Sequence, residues 1–365
     1  MISVVPLLLV LACYVPGFAH AMVTFGDYTR FEFAPARDQT FDIPIHLEHT
    51  AAVRVAILTS DGDLVRTLRH HTPLPPGIHM LVWDGKDDEG LVVPDEAYIP
   101  VLTAELGDGT VQSVDPRATS GGESVDNLRV DITPSRDIAY DLPAPARVLI
   151  RAGIKGGPML RSLATWEPRG PGKNIQRWDG RDQDGLIDIR GEKDLGILVT
   201  AFRLPTHAII TTGNPATDYR TYRQSKRWPE RIVSPKDMAL ARGQTRIARQ
   251  YYLPRDHDAE PKVTLALPED LPRSAEGMPR VKPGRLVIVR TDIPTADRWL
   301  MNESLYEVGF FVDHVFLAEE EQGYVPLTWR WKVQGLSPGR HLLTVNISGF
   351  GGKVGVASLL FEVTE

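Results

Sequence analysis

The stretch Trp83–Gly90 reads WDGKDDEG, and Trp178–Gly185 reads WDGRDQDG. Acids crowded beside a tryptophan serve three chemistries: a turn, a calcium loop or a carboxylate active site. As a turn, Asp84 and Asp179 accept backbone N–H groups while Gly85, Gly90, Gly180 and Gly185 take positive φ. As a calcium loop, Asp84, Asp87, Asp88 and Glu89 gather oxygens, but Gly85 and Gly180 stand where flanking ligands are wanted. As an active site, Asp182 and Asp184 need a cleft and one raised pKa. Duplication favours the turn, because a fold needs its turns in every copy. Trp83 and Trp178 each end a strand-like segment, so they are expected to pack under a sheet with the indole N–H on a backbone carbonyl; sugar stacking is the alternative.

The two blocks are 95 residues apart, and the same offset aligns the chain with itself from Phe41 to Leu91 without a gap. FDIPIHL (41–47) meets RDIAYDL (136–142), LVRTL (64–68) meets MLRSL (159–163), and Pro76-Gly77 meets Pro171-Gly172. The second copy then gains about two residues before LTA (102–104) meets VTA (199–201). Each copy reads as antiparallel β: VRVAIL, a turn at SDGD (60–63), LVRTL, a Pro-Gly turn, HMLVW, the WDG block and LVVPDEAYIPVLTAEL. About seven short strands with turn signals every eight to twelve residues predict a β-sandwich.

The order V-x-V-x-I, DG, VR-x-L, PG-x-H, W-D-G-x-D-x-x-G and V-P resembles the immunoglobulin-like module of the flagellar hook-capping protein family. The first copy carries the pattern along nearly its whole length; the second lacks the Val-Pro after its glycine. The resemblance implies the fold. It does not imply the hook-cap role, since such caps are expected to leave without a cleavable leader.

A leader is what the N-terminus resembles. It is apolar from Ile2 to Leu11, carries no acid or base before Asp27, and ends in Ala-His-Ala at 19–21. Residues 1–21 are therefore expected to be a signal peptide, with export to the periplasm or beyond. VLAC ending at Cys13 is an alternative lipid-attachment box. The apolar run is interrupted by proline and glycine, so no transmembrane span is expected. Cys13 is the only cysteine, so no disulfide, thiolate metal site or cysteine nucleophile is expected. A formal charge of −6 gives no global basic field for nucleic acid.

The fold class expected is all-β: tandem immunoglobulin-like antiparallel β-sandwiches at 22–110, 127–214 and 261–365. The last carries LSPGRHLLTV and LLFEV, which resemble the closing strands of bacterial immunoglobulin-like domains. Trp329 and Trp331 share one face of their strand, and a buried face is the expected cause. Residues 215–260 form a basic linker; from 218 to 258 ten Lys/Arg face five Asp/Glu. A Ser cap and a first-turn proline allow a short helix over 234–250. Arg220, Arg223, Lys226, Arg227 and Trp228 are the candidate partner-binding residues, since arginine and aromatics favour interfaces. HLEH (46–49) and RHH (69–71) put their histidines on opposite strand faces and DHD (256–258) has only one, so neither a metal nor a cofactor is expected. The function expected is a non-catalytic structural or scaffold protein of a cell-envelope or extracellular assembly, with a protein partner. A carbohydrate-binding accessory or adhesin module, with a polysaccharide ligand, is the alternative.

Overall fold

A computed structural model describes residues 22–70, 72–229, 247–295, 297–298, 301 and 305–365. The expected leader with Cys13, and most of the expected 234–250 helix, lie outside the described residues.

Domain 1 contains β1 (Val23–Phe25), β2 (Glu32–Phe33), β3 (Phe41–Leu47), β4 (Ala51–Thr59), β5 (Leu64–Arg69), β6 (Gly77–Trp83), β7 (Ala97–Leu106) and β8 (Val111–Val114). One sheet runs β1-β3-β6 and the other is built on β7-β4-β5. In β3 the alternation is complete: Phe41, Ile43, Ile45 and Leu47 are buried, while Asp42, Pro44 and His46 face out.

Domain 2 contains β9 (Val130–Ile132), β10 (Ile138–Leu142), β11 (Ala146–Ile154), β12 (Met159–Arg169), β13 (Gly172–Gln176) and β14 (Leu195–Arg203). The copies agree in register as well as in order. Leu47 faces Gly77 in the first, and Leu142 faces Gly172 in the second. Ala51 faces Leu106, and Ala146 faces Arg203, which places the two added residues before the last strand.

After β14 the chain does not leave as a linker. It re-enters domain 1 as β15 (Ile209–Thr211), antiparallel to β7 and parallel to β2, completing the order β2-β15-β7-β4-β5. Helix α1 (Tyr219–Lys226) then packs on domain 1, adding Tyr222 and Trp228 to its core. The expected boundary at 214 and the expected linker are corrected accordingly. The reason is burial: Ile209 and Ile210 are almost fully covered, which an exposed connector does not provide.

Domain 3 contains β16 (Thr264–Ala266), β17 (Arg280–Val281), β18 (Leu286–Asp292), β19 (Tyr306–Val312), β20 (Val315–Glu320), β21 (Leu327–Lys332), β22 (Gly339–Gly349) and β23 (Val354–Val363). Its sheets are β16-β18-β21 and β17-β23-β22-β19-β20. Trp331 is buried between them and Trp329 is half-buried beside it, stacked on Phe310 at 4.4 Å. The fold is thus tandem immunoglobulin-like β-sandwiches, with one helix longer than a single turn among the described residues.

Candidate functional site

Both WDG blocks are turns, each closed by the same bond from its first aspartate. The Lys86 N–H donates to Asp84 Oδ1 at 3.0 Å, and the Arg181 N–H donates to Asp179 Oδ1 at 3.0 Å. Gly85, Gly90, Gly180 and Gly185 all have φ between 70° and 83°. The Trp83 indole N–H donates to the Lys86 carbonyl at 3.0 Å, and that of Trp178 to the Arg136 carbonyl at 2.9 Å. Trp83 is fully buried, away from any sugar ring.

The sequence reading missed the pivot of each loop. Asp87 is buried, and its Oδ1 accepts the N–H groups of Glu89 and Leu91 at 3.0 and 2.9 Å. Asp182 is equally buried and accepts from Leu186 and Ile187 at 2.6 and 3.0 Å. The signal was present, because the offset of 95 carries Asp87 onto Asp182 while Asp88 falls on Gln183.

In domain 1 the oxygens offered for calcium already have protein partners. Asp84 holds its own turn, Asp88 Oδ1 accepts the Thr67 N–H at 3.3 Å, and Lys226 Nζ lies 2.6 Å from Asp87 Oδ2 and 2.9 Å from Glu89 Oε2. The Tyr222 hydroxyl donates to Asp87 Oδ2 at 2.9 Å. Burial pushes Asp87 up, but Lys226, the Leu91 N–H and Tyr222 outweigh it and hold the carboxyl below its ordinary value. The first loop is therefore the seat of α1.

This placement takes Arg223, Lys226 and Trp228 out of the expected partner-binding set. Arg223 is buried, with its guanidinium 3.4 Å from Asp63 Oδ2 and 3.5 Å from Asp61 Oδ2. Trp228 packs edge-on to Tyr222 at 5.6 Å. Arg223, Lys226 and Trp228 are thus turned inward because domain 1 offers them buried acids and an apolar groove. Arg220 is half-buried and Arg227 is exposed. The helix itself was legible in hindsight: Asp218 caps it, accepting from the Thr221 N–H at 2.8 Å, and Tyr219, Tyr222, Arg223 and Lys226 share one helical face.

Next to this seat lies a buried ion network at the joint of domains 1 and 2. Arg147 of β11 reaches across to Glu96 at 2.6 Å and to the Ser60 hydroxyl at 2.6 Å. Arg255 binds the other oxygen of Glu96 at 2.7 Å and Asp258 at 2.7 Å. Asp61 accepts from the Tyr219 hydroxyl at 2.7 Å and the Arg255 N–H at 2.9 Å. Burial alone pushes Glu96 up, yet Arg147 and Arg255 together hold it below its ordinary value. Asp258 goes the other way: burial lifts it to about 6 against the pull of Arg255, Arg147 and Lys353.

The second loop seats domain 3. The Ser358 N–H of β23 donates to Asp184 Oδ2 at 2.6 Å. Beside it, Asn346 accepts the Met159 N–H and donates to the Met159 carbonyl, both at 2.8 Å, as a neighbouring strand would. Arg151 pairs with Glu260 and donates to the Gly352 carbonyl at 2.7 Å. At the far end of the same sheet, β20 is the last strand, and its Val315, Phe316 and Leu317 are all exposed. Phe316 borders a cleft of 760 Å³ between domains 2 and 3, with Phe311, Leu198 and Met159.

No family model matches the chain, and no curated protein matches it. Among solved structures, FlgD from P. aeruginosa is similar at 23% identity over 21% of this chain and 59% of that chain, with a TM-score of 0.20. Fibronectin(III)-like modules of Clostridium thermocellum CbhA match at 10% identity over 94% of both chains, TM-score 0.20. A bacterial ice-binding adhesin matches at 10% over 94% of this chain and 98% of that one, TM-score 0.19. With TM-scores this low, none of these chains superposes on this one as a whole.

Proposed function

We infer that the protein is an exported, non-catalytic scaffold: three sandwiches fastened into one body that offers the edge of β20 to a protein partner. One observation carries the reading. Val315, Phe316 and Leu317 are consecutive exposed apolar residues on the terminal strand of a five-stranded sheet, beside an apolar cleft. Soluble domains normally guard such an edge, and an extended partner segment adds to it through backbone hydrogen bonds and side-chain pockets. The joints support a scaffold role, because their shifted carboxylates are engaged with arginines, lysine and backbone that fix one domain against the next. The hook-cap resemblance adds the module type, and export follows from the expected leader.

The test is affinity capture from the native envelope with the full chain as bait. A defined protein partner is expected, and Phe316→Lys with Leu317→Lys should release it without lowering the melting temperature. Retention on a polysaccharide gel with no protein captured would sink this reading in favour of the carbohydrate module.

A further inference from the structure

The hairpin of β19 and β20 turns on two residues, Asp313 and His314, beyond the facing pair Val312 and Val315. Both have positive φ, 47° and 70°. A turn of this kind favours glycine or asparagine, because other side chains strain the backbone there. The hairpins β4–β5, β7–β8, β11–β12 and β22–β23 follow that rule with Gly62, Gly109, Gly156 and Gly352, all at φ between 74° and 91°. The β19–β20 turn therefore needs a hold from outside itself.

Strand β22 supplies it. The Asp313 N–H donates to the Leu342 carbonyl at 3.0 Å, and Asp313 Oδ1 accepts the Leu342 N–H at 2.9 Å. Asp313 Oδ2 lies 2.6 Å from His341 Nδ1, and His341 Nε2 lies 2.8 Å from the Ser337 carbonyl. Both partners of the ring are acceptors. A neutral imidazole has one N–H, so only the doubly protonated ring makes both bonds. His341 is buried, with its ring 5.5 Å from that of Phe361 on β23. Among the described residues Asp313 is the charged group that faces it. Arg340, its neighbour in β22, pairs with Glu276, and His314 turns toward Glu192 of domain 2 at 3.8 Å. Burial pulls the His341 ring down, but the Asp313 and Ser337 bonds outweigh it and lift the ring above its ordinary 6.5.

We propose that protonated His341 is a pH-sensitive latch, which holds the β19–β20 turn closed on β22 against the turn's own backbone strain. The folded ring keeps its proton to higher pH than the unfolded one. The hold is therefore complete below 6.5 and is lost as pH rises through the folded value. Strand β20 begins at Val315, directly after the turn, so its order follows the same proton. A partner laid along β20 is then held more tightly on the acid side. That consequence rests on the reading of β20 as the docking edge, whereas the latch does not.

The test uses the full chain alone, so it stands apart from whether a partner is captured. His341 is titrated by NMR of carbon-labelled histidine rings. Hydrogen exchange of β20 is followed by mass spectrometry on either side of the midpoint, corrected for intrinsic rates. A midpoint above 6.5 is expected, with β20 protection about tenfold lower on the alkaline side, the worth of one hydrogen bond to a charged group. Strand β18, in the other sheet of domain 3, should keep its protection. Asp313→Asn tolerates positive φ and keeps a carbonyl for the Leu342 N–H, but it removes the charge. It should bring the midpoint to 6.5 or below and abolish the β20 difference. His341→Gln should abolish that difference too, and Asp313→Asn decides the matter if His341→Gln fails to fold. A native midpoint at or below 6.5, a β20 difference that survives Asp313→Asn, or an equal loss in β18 overturns the proposal.

Discussion

Gly85 and Gly90 stand in one loop and both have positive φ, yet they tolerate a side chain very differently. A methyl group on Gly85 runs into the Pro35 ring, whereas one on Gly90 meets nothing within 4 Å. Gly90→Ala should cost about 1 kcal/mol from backbone strain alone, and Gly85→Ala about 2–4 kcal/mol from strain plus overlap. Gly180→Ala falls between them, because what it meets is the flexible end of Arg190. Urea denaturation of the three variants checks the ranking. Asp258 supplies a pH test. Its folded pKa of about 6 lies above the ordinary 3.8, so between these values the folded chain binds the proton more tightly than the unfolded one. Stability therefore falls as pH rises through that window, by at most about 3 kcal/mol, and the loss is complete above it. Glu96 and Asp87 act in the opposite sense and lower down. Their folded values are depressed, so their contribution is lost only as pH falls below the ordinary carboxylate range. Asp258→Asn should remove the slope between pH 4 and 6 and leave the acid limb intact; a persisting slope assigns it to another group, of which Asp61, also raised by burial, is the first to examine.

Helix α1 is where the reading of the sequence and the folded chain part company. The turn blocks, the repeat and its register were legible because they depend on local rules: glycine at positive φ, aspartate on its own loop, apolar residues every second position. Arginine in a basic, tyrosine-bearing stretch looks the same whether its acid belongs to a partner or lies about 160 positions earlier in the same chain, so the seat of Arg223 on Asp61 and Asp63 was not legible. Strand β15 is three residues long, too short for any period to show. The helix predicts a clear contrast between neighbours. Arg223→Ala takes the buried guanidinium away from the Asp61 and Asp63 carboxylates and should cost about 3–5 kcal/mol. Arg227→Glu changes an exposed residue and should leave the melting temperature unchanged. Thermal melts of the pair distinguish an inward helix from an outward one, since equal effects at both positions contradict the seating.

For the whole molecule, the buried network between Arg147, Glu96 and Arg255 ties domain 2 to domain 1. Arg147→Ala leaves Glu96 with one guanidinium instead of two. It should destabilise the chain by about 3 kcal/mol and raise the radius of gyration seen by small-angle scattering as the joint loosens. An unchanged scattering curve would mean that β15 and α1 hold the domains without it. The return of the chain through β15 also fixes an order of events. Domain 1 is synthesised first, but its sheet lacks a strand and its Asp87 lacks a lysine until Ile209 to Lys226 have emerged. Until then the β7 edge at Ala97 and Tyr98 is open. The first domain to be made is therefore completed only after the second, and a fragment cut between the two repeats is an unfinished domain rather than a shorter protein.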